Sequence, residues 1–219
     1  FVEEGQSLRF EDGDSAYLNR TPASAGNRTT WTFSCWVKRG NLSTDQDLLS
    51  YYASGLNETI RITSNNTILR YCVDTSGTVN RVLVQTNAVI RDPSAWYHIV
   101  ITEDTTEATN TDRVKIYVNG VQQTINATVW PALNWQSYIN STVPHSLGGT
   151  QGYLDGYLAN VAFIDGQALT PTSFGEYRNT LWKPKSDTDI QALTFGTNGF
   201  YLAFEDSSAI GDDTSGNAN

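Results

Sequence analysis

Residues 152–177 read GYLDGYLANVAFIDGQALTPTSFGEY. A short extended stretch reaches Asp155-Gly156, an apolar run follows over Tyr157–Ile164, and a second Asp-Gly turn stands at Asp165-Gly166. Asp before Gly suits a reversal, because the carboxylate bonds nearby backbone and Gly takes positive φ at low cost. Thr170-Pro171 then predicts a short helix over Thr172–Tyr177, since Pro is favoured in a first turn. The segment is a core strand between two turns with a helix to finish.

The same rhythm extends outward in both directions. Strands are expected over Ser7–Phe10, Ser15–Leu18, Trp31–Lys38, Asp47–Tyr52, Thr59–Thr63, Thr67–Val73, Asn80–Thr86 and Trp96–Thr102, each bounded by turn residues. Asn65-Asn66 reads as a tight turn, and Glu103–Asp112 as a solvated hairpin loop. Asn119-Gly120 is the strongest hairpin signal and pairs Arg113–Val118 with Val121–Ile125. In WTFSCWVK, Phe33, Cys35 and Val37 share one face, while Trp36 is an apolar exception on the other, which predicts a strand covered in part on both faces. Trp31, Trp36 and Trp96 are expected in the core. Thr128–Pro144, with Trp130, Trp135 and Tyr138, lacks alternation and reads as a long loop over the sandwich. Residues 1–178 form the sandwich in this reading and 179–198 a linker. Residues 199–219, with a strand at Gly199–Phe204, either close the sandwich or begin a following domain.

The 219 residues suffice for one large sandwich. The 17 Gly and a charged fraction of 17% fit many turns and few helices. A net charge of −9 argues against nucleic acid, whose phosphates require clustered Lys and Arg. No apolar stretch approaches the ~20 residues of a membrane-spanning helix, so membrane insertion is not expected. The start at Phe1 and the ending GDDTSGNAN read as a processed or excised product. Two cysteines, Cys35 and Cys72, lie in strand-like runs and form either one disulfide or two buried thiols.

The order SLRFEDGDSAYL, WTFSCWVKRG, LLSYY, WYHIVIT, RVKIYVNGV, SLGG, YLDGYLANVAFIDGQALT resembles the laminin-G-like members of the concanavalin A-like lectin/glucanase superfamily, over about Ser7 to Tyr177. The resemblance implies an all-β, two-sheet antiparallel jelly-roll β-sandwich with one short C-terminal helix. The wording of YLNRTP, FIDGQALTPTSFGE and TNGFYLAFEDSS is similar to versions in structural proteins of tailed bacteriophages. That likeness implies a virion or extracellular setting, other virion proteins as partners, and a homo-oligomer. Pentraxins of this fold pair a cysteine at the Cys35 position with one in the WYHIVIT strand, where this chain has Val100.

Site expectations follow from both sources. Rim calcium in such folds is held by Asp carboxylates, for which Asp12, Asp14, Asp155 and Asp165 are the candidates; Asp before Gly equally suits a plain turn. Glycan binding needs exposed aromatics and amides, for which Trp130, Trp135, Tyr138, Asn134 and Tyr51 are the first choices and Tyr52, Tyr153 and Asn140 lie in reserve. No catalytic residues are expected. Glu103, Asp104 and Glu107 stand in a solvated loop in this reading and do not form the carboxylate pair of a glycosidase. His98 reads as structural, and His145 lacks a nucleophile motif beside it. Seven Asn-x-Ser/Thr sequons, at Asn19, Asn27, Asn41, Asn57, Asn65, Asn126 and Asn140, support the alternative of a secreted or cell-surface glycoprotein adhesin or lectin. A degenerate glycan hydrolase is the third reading.

Overall fold

A computed structural model describes residues 5–53, 55–64, 68–75, 78–126 and 129–217. In chain order the strands are β1 (Leu8–Phe10), β2 (Leu18–Arg20), β3 (Thr30–Arg39), β4 (Gln46–Ala53), β5 (Leu56–Ile62), β6 (Ile68–Thr75), β7 (Thr78–Val89) and β8 (Tyr97–Asp104). They continue as β9 (Val114–Val118), β10 (Val121–Gln122), β11 (His145–Leu147), β12 (Gly156–Asp165), β13 (Gly175–Arg178), β14 (Leu181–Pro184) and β15 (Phe200–Leu202). One α-helix, α1, spans Asp187–Gln191.

Two antiparallel sheets face each other. The seven-stranded sheet runs β1-β12-β3-β8-β9-β10, with β15 also on β12; the six-stranded sheet runs β2-β11-β4-β5-β6-β7. The expected jelly-roll sandwich is therefore the fold. Its inner faces meet through Trp31, Phe33, Cys35, Ile99, Ile101 and Ile116 from one side and Leu49, Ile60, Ile62, Tyr71 and Val84 from the other. Each such side chain contributes about 1.5–3 kcal/mol when fully buried.

The Asn119-Gly120 reversal forms as expected, with φ of 49° and 80° and Val121 opposite Val118. Gly156 is required for packing: a Cβ there would lie 2.2 Å from the Lys38 carbonyl oxygen. The Asn65-Asn66 turn lies outside the described residues. Ser15, at φ 54°, ends a 3-10 turn over Asp12–Asp14, so the strand expected at Ser15–Leu18 begins only at Leu18.

Several expectations need correction. Thr172–Tyr177 is not a helix: a single 3-10 turn, Pro171–Ser173, gives way to the β13–β14 hairpin. The helix stands instead in the stretch read as a linker, where Ser186 caps it by accepting from the Asp189 N–H at 3.2 Å. Residues 169–195 pack onto the outer face of the seven-stranded sheet, where Phe174, Ile190 and Phe195 meet Val100, Ala162, Ile164 and Tyr201 of the sheet in a second apolar cluster. This cover explains Trp36, which stacks on His98 at 4.9 Å between ring centroids, with Trp182 on the same imidazole at 5.8 Å. Trp96 is only half-buried and is not a core residue. Glu103 is not in a loop: it lies in β8, fully buried. Cys35 and Cys72 stay thiols, in different sheets. Burial pushes the Cys35 thiol far up, which makes it inert at neutral pH.

Candidate functional site

The long loop between β10 and β11 is built on buried anchors. The Arg113 guanidinium donates to the Pro131 carbonyl at 2.9 Å, and Asn134 N–H to Thr105 O at 2.8 Å. Arg28 Nε donates to Ser137 O at 2.5 Å. Glu58 of β5 points inward and accepts from Ser137 Oγ (2.5 Å), Tyr138 N–H (2.6 Å) and Ile139 N–H (3.2 Å). At the loop's far end Asn140 Nδ2 donates to Asp165 Oδ1 and Asn27 O, while its Oδ1 accepts from Asn198 Nδ2. A segment without secondary structure is thereby fixed in place.

On this frame the loop presents an aromatic step. Trp135 and Tyr138 meet edge-to-face at 6.3 Å. Arg81 of β7 lies over the Trp135 ring at 5.8 Å and Arg28 over the Tyr138 ring at 5.8 Å, so a guanidinium flanks each aromatic. Neither arginine makes an ion pair among the described residues. Asn134 is exposed at φ 57°, and Leu133 beside it is 53% exposed.

Of the aromatics expected for sugar stacking, Trp130, Trp135 and Tyr138 are half-buried and pack against the core with one face. Tyr51 is buried beneath Tyr138, with ring centroids 5.7 Å apart, and serves as its support rather than as a contact surface. Tyr52 is tied to Asp47 and Arg61, and Tyr153 pairs with Tyr17 elsewhere on the rim. Arg28, Arg81 and Glu58 were not anticipated. Their strand and loop positions carry no motif, and only the folded register brings them to the loop.

The four carboxylates expected for calcium separate. Asp12 and Asp155 come together with Glu11, with one ligand oxygen of each within 4.8 Å of the others. Asp14 is exposed on the 3-10 turn. Asp165 is buried elsewhere as an acceptor for the N–H groups of Asn27 and Asn198 and for the Asn140 amide. Calcium takes six to eight oxygens. Here Arg9 Nη2 stands 2.5 Å from Glu11 and 3.0 Å from Asp155, and Asn41 Nδ2 donates to both Asp12 and Asp155 at 3.0 Å. The Asn41 oxygen faces away, accepting from Ser43 N–H. As arranged here, the cluster offers three carboxylates with N–H donors of Arg9 and Asn41 among them, fewer oxygens than calcium takes.

Both histidines are held neutral by burial at pH 7. His98 is buried between Ser34 Oγ and Trp182 Nε1, with its pKa pushed down to about 3 by burial. His145 is likewise pushed down to about 4. The two core carboxylates, Glu58 and Glu103, are both fully buried, so no substrate reaches them.

The sequence profile of the concanavalin A-like lectin/glucanases superfamily, in a laminin-G-like form, matches residues 12–173. The chain belongs to this superfamily. Among solved structures, the laminin-G-like domain is similar to a protein from Bacteroides ovatus described as a putative carbohydrate binding protein, with TM-score 0.59, 14% identity, and coverage of 93% of this chain and 52% of that one. It is similar to mouse laminin alpha1 domains LG4-5, with TM-score 0.53, 12% identity, and coverage of 76% and 44%. It is also similar to domain 4 of an extracellular arabinanase from Geobacillus stearothermophilus, solved with arabinotriose, with TM-score 0.50, 17% identity, and coverage of 67% and 65%. The chain thus spans about half of the first protein's length and less of the second's. A search of curated protein sequences finds no significant match. At these identities the likeness is one of fold.

Proposed function

We propose that this laminin-G-like domain is a non-enzymatic, glycan-binding adhesion module, and that it acts extracellularly on a viral particle, in a tail fibre, appendage or capsid decoration. The observation that carries the binding reading is the Trp135–Tyr138 step, rigidly seated on Glu58 and flanked by Arg28 and Arg81. Half-buried aromatics held by packing give stacking area at little entropic cost, and exposed Asn134 offers an amide for a hydroxyl. A non-catalytic role is supported by the burial of Glu58 and Glu103: glycoside hydrolysis needs two carboxyls flanking an accessible bond. The viral setting, other virion proteins as partners and a homo-oligomeric state rest on the wording shared with tailed-phage structural proteins.

The cell-surface glycoprotein reading is weakened by its own sequons. Asn140 is buried and engaged at both ends of its amide, and the Asn41 amide is spent on two carboxylates. Asn19, Asn27 and Asn126 are exposed, Asn57 is half-buried, and Asn65 lies outside the described residues.

A glycan and polysaccharide array with the folded wild type and Trp135→Ala tests the proposal. Specific binding that falls about tenfold or more in the variant is expected. Binding untouched by the variant, or release of reducing sugar from a bound polysaccharide, would overturn it.

A further inference from the structure

A cavity of about 320 Å³ opens between the sheets on the side where β2 faces β15. Its walls include Leu18, Leu49, Leu147, Phe163, Phe200 and Leu202. Side chains on β2, β4 and β11 reach it from one sheet, and those on β12 and β15 from the other. Protein interiors hold few voids larger than a water molecule, and this volume falls within the range of ligand sites.

At the same cavity stands Arg20. Its Nη1 donates to the Asn198 carbonyl at 2.8 Å, and its guanidinium carbon lies 5.9 Å over the Phe200 ring, so it spans from one sheet to the other. Among the described residues no carboxylate lies within ion-pair distance of it. The acidic group that acts on it is Asp213, whose Oδ1 is held by the N–H groups of Tyr201 and Ser215. A part-buried cation with no carboxylate within ion-pair distance bears a desolvation cost that an anion would offset. His145, also on the wall, is neutral at pH 7 and brings no second charge.

We propose that this cavity binds a small apolar monocarboxylate, an alkyl or aryl acid, with its carboxylate on Arg20 and its hydrocarbon between the sheets. The lining fits a sugar poorly. The amides of Asn140 and Asn198 are spent on each other, on Asp165, and on the Asn27 and Ser24 carbonyls, so hydroxyls would find few partners. The ligand class differs from a sugar, so the assignment does not rest on the aromatic step.

Decanoate and decanol, titrated below their aggregation limits into the methyl-labelled folded domain, test the assignment by NMR. Saturable shifts of Leu18, Leu49, Leu147 and Leu202 methyls with decanoate are expected. Decanol and the Arg20→Gln variant should each bind about tenfold or more weakly, as loss of a charge-assisted hydrogen bond implies. Leu147→Trp should fill the cavity and abolish the shifts; should it fail to fold, Leu18→Phe on the short edge strand serves the same end. Absence of saturable shifts, shifts mapping away from these leucines, or equal affinity for acid and alcohol would each overturn the proposal.

Discussion

Replacing Glu103 by Gln should leave the domain folded and make it more tolerant of alkaline pH than the wild type. Tyr71 Oη lies 2.7 Å from Glu58 Oε1 and 2.8 Å from Glu103 Oε2, and a phenol has one proton to give. Both contacts are hydrogen bonds only if one carboxyl carries a proton and donates to the phenol oxygen. Glu58 has Ser137 Oγ, Tyr138 N–H and Ile139 N–H as further donors, whereas among the described residues Glu103 has Trp31 Nε1 alone, at 3.1 Å. Burial pushes both carboxyls up, but the bonds Glu58 accepts oppose this, so we assign the shared proton to Glu103. Burial, followed by the Glu58 charge, holds its pKa well above the usual carboxylate range.

A Gln at position 103 reproduces that neutral acid, with Nε2 donating to Tyr71 and Oε1 accepting from Trp31. The cost at mildly acidic pH should stay within about 1 kcal/mol. As pH rises past the unfolded Glu value of about 4.3, the unfolded wild type releases a proton that the folded state retains. Stability from this raised pKa is complete below that value and is lost as pH climbs toward the folded pKa. The wild type should thus lose about 1.4 kcal/mol per pH unit relative to the variant over the range in which Glu103 stays protonated. Against a total of about 5–15 kcal/mol, two such units are readily measured. Urea unfolding of both proteins at about pH 5, 6, 7 and 8 reads the difference directly. Parallel pH curves for the two proteins, or a variant destabilised by more than about 2 kcal/mol at the acidic end, would refute the proton assignment. Glu58→Gln is the contrast: its amide turns an N–H₂ group toward buried donors and should cost about 2–6 kcal/mol through two unsatisfied groups.

Gly120→Ala should destabilise by about 1–3 kcal/mol in urea titration, because φ is +80° and the new Cβ would lie 2.6 Å from the Trp182 ring. Millimolar calcium and EDTA should leave the melting temperature of the wild type unchanged, since Arg9 and Asn41 occupy the acidic cluster; Arg9→Ala should become calcium-responsive, and a calcium-stabilised wild type would contradict the fit described above. Expression in a eukaryotic secretory host, followed by peptide mass mapping, should find glycan on exposed Asn126 and none on buried Asn140.

The parts of the fold that were legible are those whose signal is local. The Asn119-Gly120 turn announces its pairing in adjacent residues, and the Tyr157–Ile164 run announces a core strand. Glu103 was misread because charge in a sequence suggests solvent, and its partners Tyr71 and Glu58 lie 32 and more residues away on the facing sheet. The calcium candidates were legible only in part for a similar reason: Asp12 and Asp155 do converge, but Arg9 and Asn41 converge with them, and no pattern of acidic residues reveals which N–H donors the chain brings along. The outer cover was half legible. Trp36 on the wrong face of β3, and His98 opposite it in β8, are an aromatic and an imidazole that a solvated sheet face would not favour. They required a lid, and the chain placed Trp182 there from a stretch whose own composition reads as a linker. An apolar residue that breaks strand alternation is thus evidence about a distant segment: it records the burial, while leaving unstated which residues provide it.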